Sequence, residues 1–419
     1  VGVDISENLP SKSFCVLPFI HLFVSEYGEF YPCCHREPGV SALSKADEHL
    51  VQANNKNSLD SAYKSSELDS LRQKFLEGEF PDRCKQCWTL EKHNLSSSRT
   101  HFNKIYGSHI NTVVEDFRES KLSSLKFLDI RLGNKCNFAC RMCTPQFTKN
   151  LISEFSEFEN KPEKYERENK LNWYESKNFW ESMLDSSHNI DRINFAGGEP
   201  FLVREHFNFL RKLVDRGDAG KIVLTYMTNL SVLPPEIYHL WPYFKAVELS
   251  VSIDGVGKIN EYIRSKSNWR KIDQNFKKIQ LDWESLNITE FSIGSVVQIY
   301  NIFNLKDLYL YNFQNNNRAR RTIYPTLVQG TDYLDIVHLP ESIKETASKS
   351  LLDIKKAFDS KIVRFFMQQN SKVTSEMYDS NYDLICNQVD GSIEHMMNTP
   401  SNPSKLEEFV SYTKFLDQK

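Results

Sequence analysis

The chain has 419 residues, with 52 basic and 55 acidic side chains and a formal net charge of -3. That near balance offers a polyanion no attraction, so neither nucleic acid nor an anionic membrane surface is expected as a partner. Hydrophobic residues make up 40% and charged residues 26%, as in a globular protein with room for two or three domains. No apolar run approaches the ~20 residues that cross a bilayer. The opening VGVDISENLP lacks the basic-then-apolar order of a signal peptide, so a cytoplasmic location is expected. In a reducing compartment, clustered cysteines point to metal binding or redox chemistry rather than to disulfides. Of the nine cysteines, all but Cys386 precede residue 144. A lone cysteine such as Cys386 reads first as a small buried hydrophobe.

In chain order, residues 1–118 open with CVLPFIHLFVSEYGEFYPCC (15–34). Apolar runs flanking a turn at Tyr27-Gly28, with Pro32 breaking the second run, predict a short hairpin. KADEHLVQANNKNS (45–58) is polar and reads as a loop. In the stretch that follows, Leu68, Leu71 and Phe75 recur at helical spacing, Gly78 is placed to end the helix, and Pro81 forbids its continuation. Cys84 and Cys87 come next.

Residues 119–330 alternate strand-like and helix-like segments. The strand candidates are LKFLDIRL, RINFAG, KIVLTYMTN, AVELSVSID, FSIGSVVQI and RTIYPTLV; helical stretches such as PFLVREHFNFLRKLVDRG lie between them. Apolar strands separated by helices predict an α/β fold with a parallel sheet. The pattern fits a partial barrel or a doubly wound sheet equally well. From 331 to 419 the chain is polar and helical, and packing or a lid is the role expected of it.

The chemistry concentrates in RLGNKCNFACRMC (131–143), where Cys136, Cys140 and Cys143 follow the first strand of the alternating region. Ligands in α/β sheets bind at the carboxyl ends of strands, so the position suits an active site. The spacing would also fit one helix face, but Gly133, Asn134 and Pro145 favour a loop. A structural zinc site closes with four protein ligands, and no fourth lies nearby in sequence. A four-iron cluster held by three thiolates leaves one iron open, the mark of a reactive site.

This C-x3-C-x2-C loop resembles the signature of the radical S-adenosylmethionine (SAM) superfamily. The resemblance implies a partial (β/α)6 TIM-like barrel. It also implies a [4Fe-4S] cluster on Cys136, Cys140 and Cys143 whose open iron binds SAM. One electron from the cluster then cleaves SAM to a 5'-deoxyadenosyl radical, which takes a hydrogen atom from substrate. An electron donor such as flavodoxin or ferredoxin is implied with it. Gly197, Gly198, Glu199 and Pro200, at the end of the second strand, resemble the family's motif that contacts the SAM amino group. Two glycines allow close backbone approach, and Glu199 can accept from a cation.

MTNL (227–230) resembles the family's Thr-Asn segment at Thr228 and Asn229, with Leu230 where glycine is common. LSVSIDG (249–255) resembles the ribose-binding strand of the peptide-modifying branch, which implies that Ser252 and Asp254 face SAM. EYIRSKSNW adds Arg264 to the set, and Val297 and Asn301 would sit near the adenine. One residue departs from the pattern: Met142 stands where an aromatic side chain is usual, although a thioether also packs on a ring.

Cys15, Gly28 and Cys33 resemble the opening of the SPASM and twitch auxiliary-cluster modules, here placed before the core rather than after it. The resemblance implies a small N-terminal α+β domain with a fully ligated auxiliary [4Fe-4S] cluster on Cys15, Cys33, Cys84 and Cys87. A four-cysteine zinc knuckle fits the C-x2-C spacing too, and Cys34 competes with Cys33. His21 and His35 read as hydrogen-bonded scaffold residues. The expected organisation is thus 1–118 auxiliary domain, 119–330 radical SAM core and 331–419 helical extension.

A fully ligated second cluster suits an electron acceptor and hence net oxidation. The expected function is oxidative modification of a peptide or protein. The alternative substrate is a sugar- or nucleotide-derived small molecule, dehydrogenated or epimerised. Epimerisation would require a hydrogen donor, for which Cys34 and Cys386 are the candidates. A non-catalytic iron-sulfur electron-transfer or binding module is the reading from another class.

Overall fold

The computed structural model describes residues 9–34, 58–92, 97–119, 125–316, 323–328, 330–359 and 375–419. His35 and nearly all of the 45–58 loop fall outside the described residues. Among these residues ten strands run in chain order: β1 (His21–Val24), β2 (Phe30–Tyr31), β3 (Phe127–Arg131), β4 (Ala139–Cys140), β5 (Arg192–Ala196), β6 (Val223–Thr228), β7 (Ala246–Ser252), β8 (Arg264–Ser265), β9 (Ile288–Val297) and β10 (Ile323–Leu327). Each of the six strand candidates of the alternating region forms a strand. The chain divides into two compact units, one of residues 1–133, 171–225 and 240–246, the other of 134–170, 226–239 and 247–419.

In the first unit β1 pairs antiparallel with β2 and parallel with β3, and β3 pairs parallel with β5. The first apolar run of the hairpin does not extend as one strand. Leu17–Ile20 is a single helical turn with a proline in its first positions, where the missing N–H costs nothing, and β1 starts only at His21. Gly28 turns the hairpin at φ +78°, and a Cβ there would lie 2.9 Å from the Trp173 ring, so both conformation and space demand glycine. The predicted helix is present as Ser66–Leu76, capped by Ser65, with Leu68, Leu71 and Phe75 buried. Gly78 follows at φ +81°. Helix Arg204–Asp215 places His206, Phe207, Phe209, Leu210 and Leu213 on its buried face, as its apolar periodicity dictates.

In the second unit β9 pairs parallel with both β7 and β10. A separate two-stranded antiparallel pair joins β4 to β8. Helix Trp269–Leu281, capped by Asn268, buries Ile272, Phe276 and Ile279. Among the described residues of the C-terminal part lie three further long helices, Glu341–Asp359, Ser375–Asn398 and Pro403–Asp417. The protein is therefore mixed α/β with mainly parallel strand pairing. Among the described residues no helix is long and apolar enough to cross a membrane.

Candidate functional site

The three core cysteines sit on a loop that is held by side chains reaching its backbone. Asn134 donates to the carbonyls of Pro145 (3.1 Å) and Glu168 (2.9 Å). Asn150 donates to the carbonyls of Cys136 (3.0 Å) and Phe138 (3.1 Å), and Thr148 donates to Phe138 as well (2.9 Å). Buried backbone polar groups must find partners, and here asparagine and threonine side chains supply them where no regular ladder runs. Cys140 is the exception, because β4 pairs with β8 and sets Cys140 opposite Arg264.

The thiols of Cys140 and Cys143 are hydrogen-bonded to each other, which holds Cys143 below the usual thiol range and Cys140 above it. Arg264 favours the thiolate at both, and its Nη1 lies 3.9 Å from the Cys140 sulfur. The Cys136 sulfur accepts from the amide of Phe138 at 3.5 Å and from Asn229 Nδ2 at 3.9 Å. Donors directed at sulfur stabilise the thiolates that metal binding requires.

Arg264 is itself fixed. Its Nε forms a buried ion pair with Asp254 at 2.7 Å. Asp254, fully buried, accepts at its other oxygen from the Val296 amide (2.7 Å) and Ser295 Oγ (3.4 Å). Burial raises the Asp254 carboxyl, and Arg264 is the largest opposing influence. Asn301 donates to the carbonyls of Asp254 (3.0 Å) and Val296 (2.8 Å) and accepts from the Gln298 amide (2.9 Å). Its amide is thus engaged in tying the end of β9 to Asp254. Val297 is buried at the same strand end, and Ser252 closes β7 half-buried.

Thr228 accepts from the Leu230 amide at 3.0 Å. Leu230 lies at φ +54° and is fully buried, which explains why glycine would suit this position. Asn229 accepts from the Ser231 amide and donates to Asn137, whose own amide donates to Ser231. Met142 is buried, and its carbonyl accepts from Thr331 Oγ1 at 3.2 Å.

Gly197–Pro200 belong to the first unit. Gly197 has φ +121°, and a Cβ on it would lie 2.6 Å from the Leu132 amide nitrogen and 3.1 Å from the Gly133 carbonyl oxygen. The Gly198 amide donates to the Gly133 carbonyl at 3.0 Å. Glu199 is buried and accepts from the Phe201 amide at 3.1 Å, capping the short helix that Pro200 begins.

The other cysteines also lie in the first unit. Burial raises the Cys15 thiol well above the usual range, and the neighbouring thiols of Cys33, Cys84 and Cys87 push it the same way. Asn103 brackets Cys15 by accepting from the Val16 amide and donating to the Phe14 carbonyl, both at 2.8 Å. Arg99 donates to the Phe14 carbonyl at 2.9 Å. Cys34 has different neighbours: burial raises it first, then Asp129 and Cys33. His21 donates from Nδ1 to the Pro32 carbonyl at 2.9 Å, a scaffold role. Cys386, on helix Ser375–Asn398, is half-buried rather than buried. Among the described residues no three His, Cys, Asp or Glu side chains converge to hold a single metal ion.

Residues 15–88 match the SPASM family, an iron-sulfur cluster-binding domain. Over 134 residues the chain is 28% identical to an S-adenosylmethionine-dependent nucleotide dehydratase of Selenomonas ruminantium, covering 31% of this chain and 39% of that one. Residues 15–88 are thus similar to a SPASM-type iron-sulfur domain, and part of the chain is similar to a SAM-dependent enzyme. Cys15, Cys33, Cys84 and Cys87 all fall within the residues matched to that iron-sulfur cluster-binding domain. An uncharacterized protein of Methanocaldococcus jannaschii is 25% identical over 194 residues, 45% of this chain and 59% of that one. The chain thus spans less than two thirds of either relative. Among solved structures, native anSMEcpe with bound AdoMet is similar over 58% of this chain and 62% of its own, at 15% identity and a TM-score of 0.35. Streptococcus suis SuiB bound to S-adenosylmethionine is similar over 69% and 61%, at 11% identity and a TM-score of 0.35.

The sequence read Asn134 only as a loop former, and its motifs did not disclose Asn137, Thr148 and Asn150, which also hold the cysteine loop, nor Asn103 and Arg99, which hold Cys15. Their signal is only a polar side chain close to a ligand in sequence, or none at all.

Proposed function

We propose that this chain is an enzyme that cleaves SAM reductively at a [4Fe-4S] cluster on Cys136, Cys140 and Cys143 and oxidatively modifies a peptide or protein by hydrogen-atom abstraction. The observation that carries this reading is the pairing of a three-cysteine set with a four-cysteine set in one chain. When bound, an open [4Fe-4S] cluster and SAM would supply one-electron reductive cleavage and hydrogen-atom abstraction. In this reading the core forms a partial (β/α)6 barrel over 119–330, preceded by the auxiliary domain over 1–118 and followed by the extension over 331–419.

The protein's own residues then have separable tasks. Cys136, Cys140 and Cys143 bind iron as thiolates, with Arg264 and Asn229 facing their sulfurs. Asp254 keeps Arg264 in place. Gly197 and Gly198 give the backbone its close approach, and Glu199 accepts from the amino group of SAM. Ser252 serves the ribose, while Val297, Asn301 and Met142 bound the adenine. Cys15, Cys33, Cys84 and Cys87 would hold a second, fully ligated cluster able to accept the substrate's electron, while an electron donor such as flavodoxin or ferredoxin would supply the electron for SAM cleavage. Oxidoreductase is the class that follows.

A second substrate reading is favoured by one observation, the relationship to a nucleotide dehydratase. Reconstituted, reduced protein incubated with SAM decides between the substrates. Formation of 5'-deoxyadenosine stimulated by peptides, with a mass change in the peptide, supports the first reading. Stimulation by nucleotides alone replaces it with the second.

A further inference from the structure

The C-terminal helix Pro403–Asp417 was expected to pack or to cover. Its last residue instead reaches into the cysteine loop. Asp417 Oδ1 pairs with Arg141 Nη2 at 2.7 Å, and Arg141 is the residue directly after Cys140. The same guanidinium donates from Nε to the Tyr262 carbonyl at 2.9 Å and lies 3.9 Å over the Tyr262 ring. The Tyr262 hydroxyl donates to Asp417 as well, at 3.1 Å. The Arg141 amide donates to the Ile263 carbonyl at 2.8 Å, one residue before β8.

The helix is held along its length within the same unit. Tyr412 is buried with its ring against Phe155 and Phe158, and the Tyr300 hydroxyl bonds Thr413. Thr331, beside the segment that packs on this helix, holds the Met142 carbonyl. Arg141 and Met142 are the two residues between the second and third cysteines. Both are fastened by elements more than 180 residues further along the chain (|i−j| of 276 and 189).

We propose that Asp417 and Arg141 are positioning residues for the open cluster, so that docking of the C-terminal helix sets the separation and orientation of Cys140 and Cys143. This rests on the assignment of those cysteines to the open cluster. A surface ion pair alone contributes little. Here the arginine side chain is 10% exposed and also stacks on Tyr262, so the aspartate selects one guanidinium orientation.

The test uses the full chain with both clusters reconstituted, comparing wild type with D417N, R141Q, R141K and E157Q. The last removes the partner of Lys419 beyond the helix end without touching Arg141. Three properties are read: iron per chain, the electron paramagnetic resonance signal of the reduced open cluster with and without SAM, and its midpoint potential. Wild type and E157Q should hold about eight irons and show a SAM-dependent signal. D417N and R141Q should fall toward about four irons, or keep the cluster with a shifted potential and an altered SAM-dependent signal. R141K should recover part of the loss. Asp417 is half-exposed, so D417N carries the test alone if R141Q fails to fold. A D417N protein matching wild type in iron, signal and potential overturns the proposal and leaves the open-cluster assignment intact. Wild type lacking any SAM-dependent signal overturns that assignment, and the proposal with it.

Discussion

Cys140 and Arg264 face each other across the short antiparallel pair of β4 and β8, with the guanidinium 3.9 Å from the sulfur and ion-paired to the buried Asp254. A positive charge is thereby fixed beside a thiolate ligand by backbone pairing rather than by a flexible side chain alone. Removing Arg264 leaves Asp254 as an uncompensated buried charge, which typically costs about 3–5 kcal/mol. Arg264→Gln should lower the denaturant midpoint accordingly, whereas the double variant Arg264→Gln/Asp254→Asn should regain part of the loss. Equal destabilisation of the single and double variants in urea melts would disprove the pairing.

Cys33 and Cys34 are separable by iron content. Cys15 has Cys33, Cys84 and Cys87 for neighbours, while Cys34 has Asp129 and Cys33. Cys33→Ala should reduce iron from about eight to about four per chain, and Cys34→Ala should leave it unchanged. The reverse pattern would exchange the two assignments.

Gly197 admits no side chain without moving backbone. At φ +121° with a Cβ 2.6 Å from the Leu132 nitrogen, Gly197→Ala carries at least the cost of a disallowed conformation, about 1–3 kcal/mol. A thermal melt of the unloaded protein measures this without involving the cofactors, and an unchanged midpoint would refute it.

Much of this architecture was legible in the sequence, for physical reasons that differ along the chain. The six strands of the alternating region were readable because apolar runs bounded by turn residues admit little else. Leu17–Ile20 was not, because Pro18 fits the first turn of a helix as well as the edge of a strand, and the choice is made by tertiary contacts such as Arg72 donating to the Pro18 carbonyl. The cysteine spacing marked candidate ligands, and the resemblance named Arg264 and Asn229, which face two of their sulfurs, but nothing in the pattern marked Thr148 and Asn150 as the side chains that hold the loop. Arg141 and Asp417 lie 276 residues apart, and no local pattern announces that pairing. Leu230 shows the opposite case, in which a departure from the expected glycine coexists with the backbone conformation that glycine favours.

His206 makes stability depend on pH. Burial holds its ring down to about pH 3, against a usual value of 6.5, while Nδ1 donates to the Val203 carbonyl at 2.6 Å. Between those values the unfolded chain binds a proton that the folded ring does not, so stability rises with pH. It is complete above about pH 6.5 and falls as the pH drops toward 3. The expected slope approaches about 1.4 kcal/mol per pH unit from this group. Urea midpoints measured across that window should be less steep in His206→Leu, and an identical slope would contradict the assignment.

The central claim, an open cluster that cleaves SAM, is tested most directly by single-turnover chemistry. Anaerobically reconstituted protein, reduced with dithionite and given SAM, should release 5'-deoxyadenosine, and Cys140→Ala should release none while retaining the iron of the auxiliary set. Absence of 5'-deoxyadenosine from reduced wild-type protein carrying both clusters, or equal release by Cys140→Ala, would contradict it.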